Sequence, residues 1–305
     1  MSNIGWVPER APRMDGRTVL ITGANSGLGL ASARHLSGLG ANIVMACRNA
    51  DKAALAAESL RAGSPASRIE VRSLDLSSLV SIRRFATGLV DSGTTVDVLM
   101  NNAGVMATDR LVTADGFDLQ FGTNHLGHFA LTGLLLPLLA ANPDGARIIN
   151  VSSLGHRAGR MHLDDPNFEH RPYRRWGAYF ESKLANLLFT AELHRRLAAA
   201  GSTVTTLAAH PGTASTELGK DGTSTTNWVI RNFFGALVRG PASGARSQVR
   251  AAVDPAARGG QFYGPALMVA GPPRLETPSR RARRTDDARA LWDLSECLTG
   301  IAYPL

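Results

Sequence analysis

Six short runs rich in Val, Ile and Leu, at 18–22, 42–46, 69–75, 96–102, 146–153 and 203–210, alternate with segments of helical patterning at 27–39, 51–62, 78–90, 114–141 and 174–200. The runs are nearly continuously apolar, so each expects burial on both faces. Strands of that kind, joined through helices, form a parallel sheet covered on both sides. The expected class is α/β, a doubly wound parallel sheet flanked by helices. A chain of 305 residues with 44% hydrophobic residues can bury one large core, and no linker-like stretch divides it. One domain is therefore expected over 17–265, preceded by an extension at 1–16 and followed by a tail at 266–305 packed on the same domain. Past His210 the pattern loosens to a helix near 241–253, a final strand at 260–264 and a closing helix with Thr285 as N-cap and Gly300 just past its end.

The stretch "TGANSGLG", Thr22 to Gly29, lies between the first strand and the first helix. In an open parallel sheet that turn aims a helix N-terminus at the ligand crevice. Gly23, Gly27 and Gly29 permit a tight turn, a close approach of a pyrophosphate to the backbone, and close packing of helix on strand. The spacing G-x-x-x-G-x-G differs from the commoner G-x-G-x-x-G and meets the same needs, so a dinucleotide is the candidate ligand.

The ends of the later strands carry matching features: "ACRN" after the second, "LDL" with Asp75 after the third, "NNAG" at 101–104, "VSS" at 151–153 and "HPG" at 210–212. "AYFESKLAN" adds Tyr179 and Lys183, four residues apart on one helix face. With TGxxxGxG, NNAG, a strand-borne Ser, Tyr-x-x-x-Lys and Pro-Gly in this order, the chain resembles the short-chain dehydrogenase/reductase family over roughly residues 15–265. The resemblance implies a Rossmann-type fold and a hydride transfer between a nicotinamide and a carbonyl or alcohol. The stretches "MACRN", "DGFDLQFGTNHLGHFALT", "INVSSLGH", "SKLANLLFTAEL" and "ARALWDLSECLTG" are most similar to its retinol dehydrogenase and WW-domain oxidoreductase-like branch.

A phenol is a poor base at neutral pH, and an adjacent ammonium favours its phenolate. Tyr179 is thus the candidate general acid in reduction and base in oxidation, with Lys183 tuning it. Ser153, at a strand end, can donate to an oxygen that becomes negative as hydride arrives. The family resemblance prefers Ser153 to Ser152, and assigns Asn124 as anchor of a water and Lys183 in a proton relay. It further implies coenzyme contacts from Asn25, Ser26 and Leu28 beside the three glycines, from Arg48, Asp75 and Leu76, from Asn102, Ala103 and Gly104, and from Pro211, Gly212, Thr213 and Thr216, together with Tyr179 and Lys183. Arg48 follows the second strand, where a basic residue suits an adenosine 2′-phosphate and an acidic one a 2′-hydroxyl. NADP(H) is expected, with NAD(H) as the alternative.

Residues 213–240 would return across the cleft, and their apolar members, Trp228, Val229, Ile230, Phe233, Phe234, Leu237 and Val238, suit a substrate lid. The expected substrate is a bulky, largely apolar small-molecule ketone, aldehyde or alcohol. Two other readings compete: a protochlorophyllide-reductase-like C=C reductase, whose relatives share "MACRN" and "TNHLGHF", and a non-catalytic NADP-binding protein on the same fold.

The net charge of +8 is scattered, which argues against a nucleic-acid partner, and "RRARR" at 280–284 suits a solvated face. Cys47 and Cys297 are too few for a disulfide framework or a Cys-based metal site, and the histidines of 154–176 show no ligand spacing. No metal is expected, and that segment is expected to wall the substrate site. With no apolar leader core and no run long enough to span a bilayer, the expected setting is cytoplasmic; a homo-oligomer is compatible.

Overall fold

The computed structural model describes residues 6–212 and 240–305. Its centre is an eight-stranded sheet in the order β3-β2-β1-β4-β5-β6-β7-β8. The strands are β1 (Thr18–Thr22), β2 (Asn42–Cys47), β3 (Ile69–Ser73), β4 (Val98–Asn101), β5 (Arg147–Val151), β6 (Thr205–Ala209), β7 (Phe262–Pro265) and β8 (Pro273–Glu276). All neighbours pair parallel except β7 and β8, which form an antiparallel hairpin with Phe262 opposite Glu276. The strand expected as the last is therefore followed by one more. β8 carries two prolines' worth of local disfavour in its surroundings, Pro272 and Pro273, and forms as an edge strand, where a missing N–H costs nothing.

The helices are α1 (Gly27–Gly38), α2 (Ala50–Gly63), α3 (Leu79–Asp91), α4 (Gly127–Ala140), α5 (Arg175–Ala199), α6 (Arg246–Val253) and α7 (Thr285–Thr299). Successive strand residues serve opposite layers. Val19 and Ile21 pack with Leu36 of α1, Leu60 of α2 and Val249 of α6, whereas Leu20 packs with Ile82 of α3, Leu135 of α4 and Leu193 of α5. Both faces are buried, which is why these strands carry no polar alternation.

Three helix expectations need correction. The segment 114–141 starts late: Asp118 accepts from Gln120 N and Phe121 N and caps a short turn, Leu119–Phe121. A π-helical turn, Gly122–Leu126, then precedes α4. Thr285 is the first residue of α7, with Arg284 at the cap position and no side-chain cap bond, while Gly300 does close the helix in a left-handed conformation at φ 62°. The helix near 241–253 breaks into a turn, Pro241–Gly244, and α6. Trp292 of α7 and Tyr303 lie against Phe129 and Phe189, with centroids 4.5–6.4 Å apart, and the Tyr303 hydroxyl donates to Phe129 O at 2.7 Å. Among the described residues no helix is long and apolar enough to cross a membrane.

Candidate active site

The strand order reverses direction between β1 and β4, and that switch point opens a crevice at their carboxyl ends. A groove of about 410 Å³ lies there, lined by Gly23, Asn25, Ser26, Gly27, Leu28, Gly29, Arg48, Asp75, Leu76, Asn102, Ala103 and Gly104. Twelve residues expected to contact a coenzyme thus share one cavity. Gly23 has φ +66°, and a Cβ there would press on Ala103; a Cβ on Gly29 would overlap Gly23 O and approach Asn102 Nδ2 to 2.6 Å. The turn can be this tight only with glycine. Ser26 caps α1 without a side-chain hydrogen bond, and the first turn holds no acid, which leaves the helix N-terminus open to an anion.

The other side of the groove holds two cations. Arg48 follows β2, and Lys52 stands one turn into α2, where its N–H is capped by Asn49 Oδ1 at 2.8 Å. Among the described residues neither side chain pairs with a carboxylate. Lys52 was missed from sequence because an exposed lysine on a helix usually means only solvation. The signal was its place four residues after Arg48, in the first turn of a helix whose N-cap is Asn49.

Thr22 organises the groove floor. Its hydroxyl accepts from Asn102 N and Ala103 N, both at 2.9 Å, and meets His128 Nε2 at 2.9 Å. His128 Nδ1 lies 3.0 Å from Asn124 O, so the ring donates there and accepts from Thr22. Burial pushes His128 down to about 4, which keeps the ring neutral. Asn124 sits in the π-helical turn, and its side chain spans Val105, accepting from N at 2.8 Å and donating to O at 2.9 Å, besides donating to Ser182 Oγ. It makes no hydrogen bond to Lys183. The two converge at Gly104, where a Cβ would lie 2.9 Å from Asn124 Oδ1 and 3.4 Å from Lys183 Nζ.

Tyr179 and Lys183 occupy one face of α5, both buried. Lys183 Nζ lies 5.8 Å from the Tyr179 ring centroid and donates to Val151 O at 3.2 Å. Ser153 Oγ accepts from Gly155 N at 3.1 Å, and the Ser153 hydroxyl stands close enough to the Tyr179 phenol to favour its phenolate. Ser152 instead turns inward and donates to Lys183 O at 2.8 Å. Burial pushes the Tyr179 hydroxyl up from its ordinary value, and the neighbouring Ser153 hydroxyl works against that. Burial also pushes Lys183 down to about 8. In both groups desolvation is the leading cause of the shift.

Pro211 and Gly212 follow β6, and Gly212 takes φ +71°. Of the segment 213–240 expected to form the lid, residues 213–239, Thr213 and Thr216 among them, lie outside the described residues. Gly155 and Gly159 of the segment 154–176 pack under Phe180 of α5, and a second cavity, of about 320 Å³, opens between that segment and α5 beside Arg171 and Glu181.

The chain matches the family described as short chain dehydrogenase over residues 17–227. It is 41% identical to human retinol dehydrogenase 13, over 98% of this chain and 89% of the relative. Mouse retinol dehydrogenase 11 is 39% identical, over 95% and 88%. Among solved structures, an uncharacterised protein from Mycobacterium paratuberculosis is 45% identical and superposes with a TM-score of 0.82, covering 99% of this chain and 100% of that one.

Proposed function

Since this chain belongs to the short-chain dehydrogenase family and is an NAD(P)-dependent oxidoreductase, we propose that it uses NADP(H) and acts on the carbonyl or alcohol of a bulky, apolar molecule, with Tyr179 as general acid and base. The observation that carries this reading is the approach of Lys183 Nζ both to the Tyr179 ring, at 5.8 Å from its centroid, and to Gly104, which lines the groove.

The residues present fit the coenzyme: the Gly23–Gly29 backbone at the N-terminus of α1 would hold its pyrophosphate, Arg48 and Lys52 a 2′-phosphate, and Asn102–Gly104 the part towards Tyr179. When bound, the nicotinamide supplies or accepts the hydride. Ser153 donates to the reacting oxygen and stabilises its growing negative charge. Tyr179 gives its hydroxyl proton to that oxygen in reduction and takes it back in oxidation. Lys183, when protonated, favours the phenolate left behind, and Asn124 holds the Val105 loop and Ser182 that frame the lysine. The relatives named retinol dehydrogenases support an apolar alcohol or aldehyde as substrate. So do the apolar residues at 228–238, as a sequence feature.

The test is NADPH oxidation with aldehydes and ketones of increasing apolar size. kcat/KM is expected to climb with apolar size; a flat series, or one favouring small polar carbonyls, removes the substrate class. A second expected result concerns the coenzyme. Charge-assisted hydrogen bonds contribute about 1.5–3 kcal/mol each, so Arg48→Asp should cost roughly 10- to 100-fold in kcat/KM for NADPH and improve that for NADH. An unchanged coenzyme preference would assign Arg48 to solvent.

A further inference from the structure

A buried imidazole and a buried carboxylate meet at the end of β6, and the chemistry above gives neither a part. His210 has no exposed surface and the Glu276 side chain is 5% exposed; His210 Nε2 lies 3.2 Å from Glu276 Oε2. Arg157, half on the surface, reaches the same oxygen at 3.8 Å. A carboxylate in such a place is costly, and an apolar pair of similar volume would fold at least as well. The space is nevertheless reserved for it, because a Cβ on Gly264 would overlap both His210 Nε2 and Glu276 Oε1.

The tautomer follows from the other nitrogen. Gly212 N donates to His210 Nδ1 at 3.1 Å, so Nδ1 carries a lone pair and the proton sits on Nε2, facing Glu276. A doubly protonated ring would lose the bond to Gly212. His210 Nε2 and both Glu276 carboxylate oxygens have no hydrogen-bond partner among the described residues, so the 3.2 Å approach of the two groups is the contact through which Glu276 bears on the ring that holds the Pro211–Gly212 turn. The turn is pressed on the β7–β8 hairpin as well: Gly212 is at φ +71°, and a Cβ there would lie 2.6 Å from Val269 O and 2.7 Å from Pro265 Cγ.

The segment that leaves this hairpin reaches the end of β5. His156 donates from Nδ1 to Ser153 O at 2.6 Å and accepts at Nε2 from Ser279 N at 3.3 Å, three residues beyond Glu276. Phe262 lies between the two imidazoles, its centroid 5.2 Å from His210 and 5.6 Å from His156. The edge hairpin braces the turn that carries Pro211 and Gly212, and the segment that follows it braces the turn that carries Ser153.

We propose that Glu276 is a positioning residue that, through His210, fixes the Pro211–Gly212 turn at the carboxyl end of β6, beside the end of β5 that leads into Ser153, where the turn would meet the nicotinamide end of the coenzyme; this rests on the coenzyme reading above. The adenine end is held elsewhere, by the glycine turn, Arg48 and Lys52, and that separation supplies the test. Binding of 2′,5′-ADP and of NADPH is measured on the full chain, together with kcat and melting temperature, for the parent, Glu276→Gln, His210→Asn and His210→Ala.

Glu276→Gln should bind 2′,5′-ADP like the parent while NADPH affinity and kcat fall, kcat by roughly 10- to 100-fold, the scale of a misplaced reacting group. His210→Asn should retain more activity than His210→Ala, because Oδ1 can accept from Gly212 N; that comparison serves equally should Glu276→Gln fail to fold. Parent-like NADPH binding and kcat in Glu276→Gln overturn the positioning role alone. So does an equal weakening of 2′,5′-ADP and NADPH with a lowered melting temperature. A parent that binds neither ligand overturns the coenzyme reading, and the positioning role with it.

Discussion

Tyr179→Phe is expected to lower kcat by about 10²- to 10⁴-fold, the usual contribution of a positioned general acid. Coenzyme affinity should stay close to that of the parent. The substitution is nearly isosteric in a tight place: the ring stands 6.1 Å from Trp176, edge to face, and 6.1 Å from Phe180, and a phenyl group keeps both contacts. Only the hydroxyl is lost. The neighbouring Ser153 Oγ retains the bond from Gly155 N, so the stability change should not exceed about 1.5 kcal/mol, the net worth of one hydrogen bond. Turnover and NADPH titration on the two proteins check this. Residual kcat within a few-fold of the parent would show that the proton comes from elsewhere and that Tyr179 is a packing residue.

What the sequence made legible was whatever a local pattern dictates. The apolar run "TVLIT" gave β1 at its observed limits, and the glycines of "TGANSGLG" implied a turn whose left-handed φ values appear at Gly23 and Gly27. The residues after β1, β2, β3 and β4 meet in one groove because parallel strands put all their carboxyl ends on one side. Features created by partners distant in sequence stayed hidden. β8 has a proline at its first position and exists because Tyr263 and Phe262 offer it Leu275 and Glu276 pairing. The π-helical turn at Gly122–Leu126 has no local signature; Asn124 is held in it by Val105 and Ser182, 19 and 58 residues away. His210 and Glu276 are likewise joined only by the fold. Lys52 lies between these cases, since Asn49 as a cap does place it, but its charge alone does not separate a ligand contact from a solvated face.

Lys183→Met is expected to destroy activity and to stabilise the protein. Lys183 is 4% exposed, and burial takes it from the ordinary 10.5 to about 8. At about 1.4 kcal/mol per pKa unit, the shift means that holding the charged form in this site costs roughly 3 kcal/mol at neutral pH. Methionine has a similar length and no charge. Its introduction leaves no acceptor stranded, because Val151 O still receives Asn186 Nδ2 at 3.2 Å. The melting temperature at pH 7 should therefore rise by roughly 5 °C, allowing about 2 °C per kcal/mol for a chain of this size. The sign of the pH dependence is fixed as well. Below about pH 8 the lysine is protonated in both folded and unfolded chains and the whole cost is present. Between about 8 and 10.5 the unfolded chain binds the extra proton, so the parent gains stability relative to the variant as pH rises. Melting curves of both proteins at pH 7 and pH 10 should show the gap closing. The parent's turnover should decline over the lower part of the same window, as the ammonium beside the phenol is lost. A methionine variant that melts below the parent at pH 7 would mean that the lysine is needed by the fold. One that melts higher and is inactive would identify a charge kept at the expense of stability for the sake of the reaction.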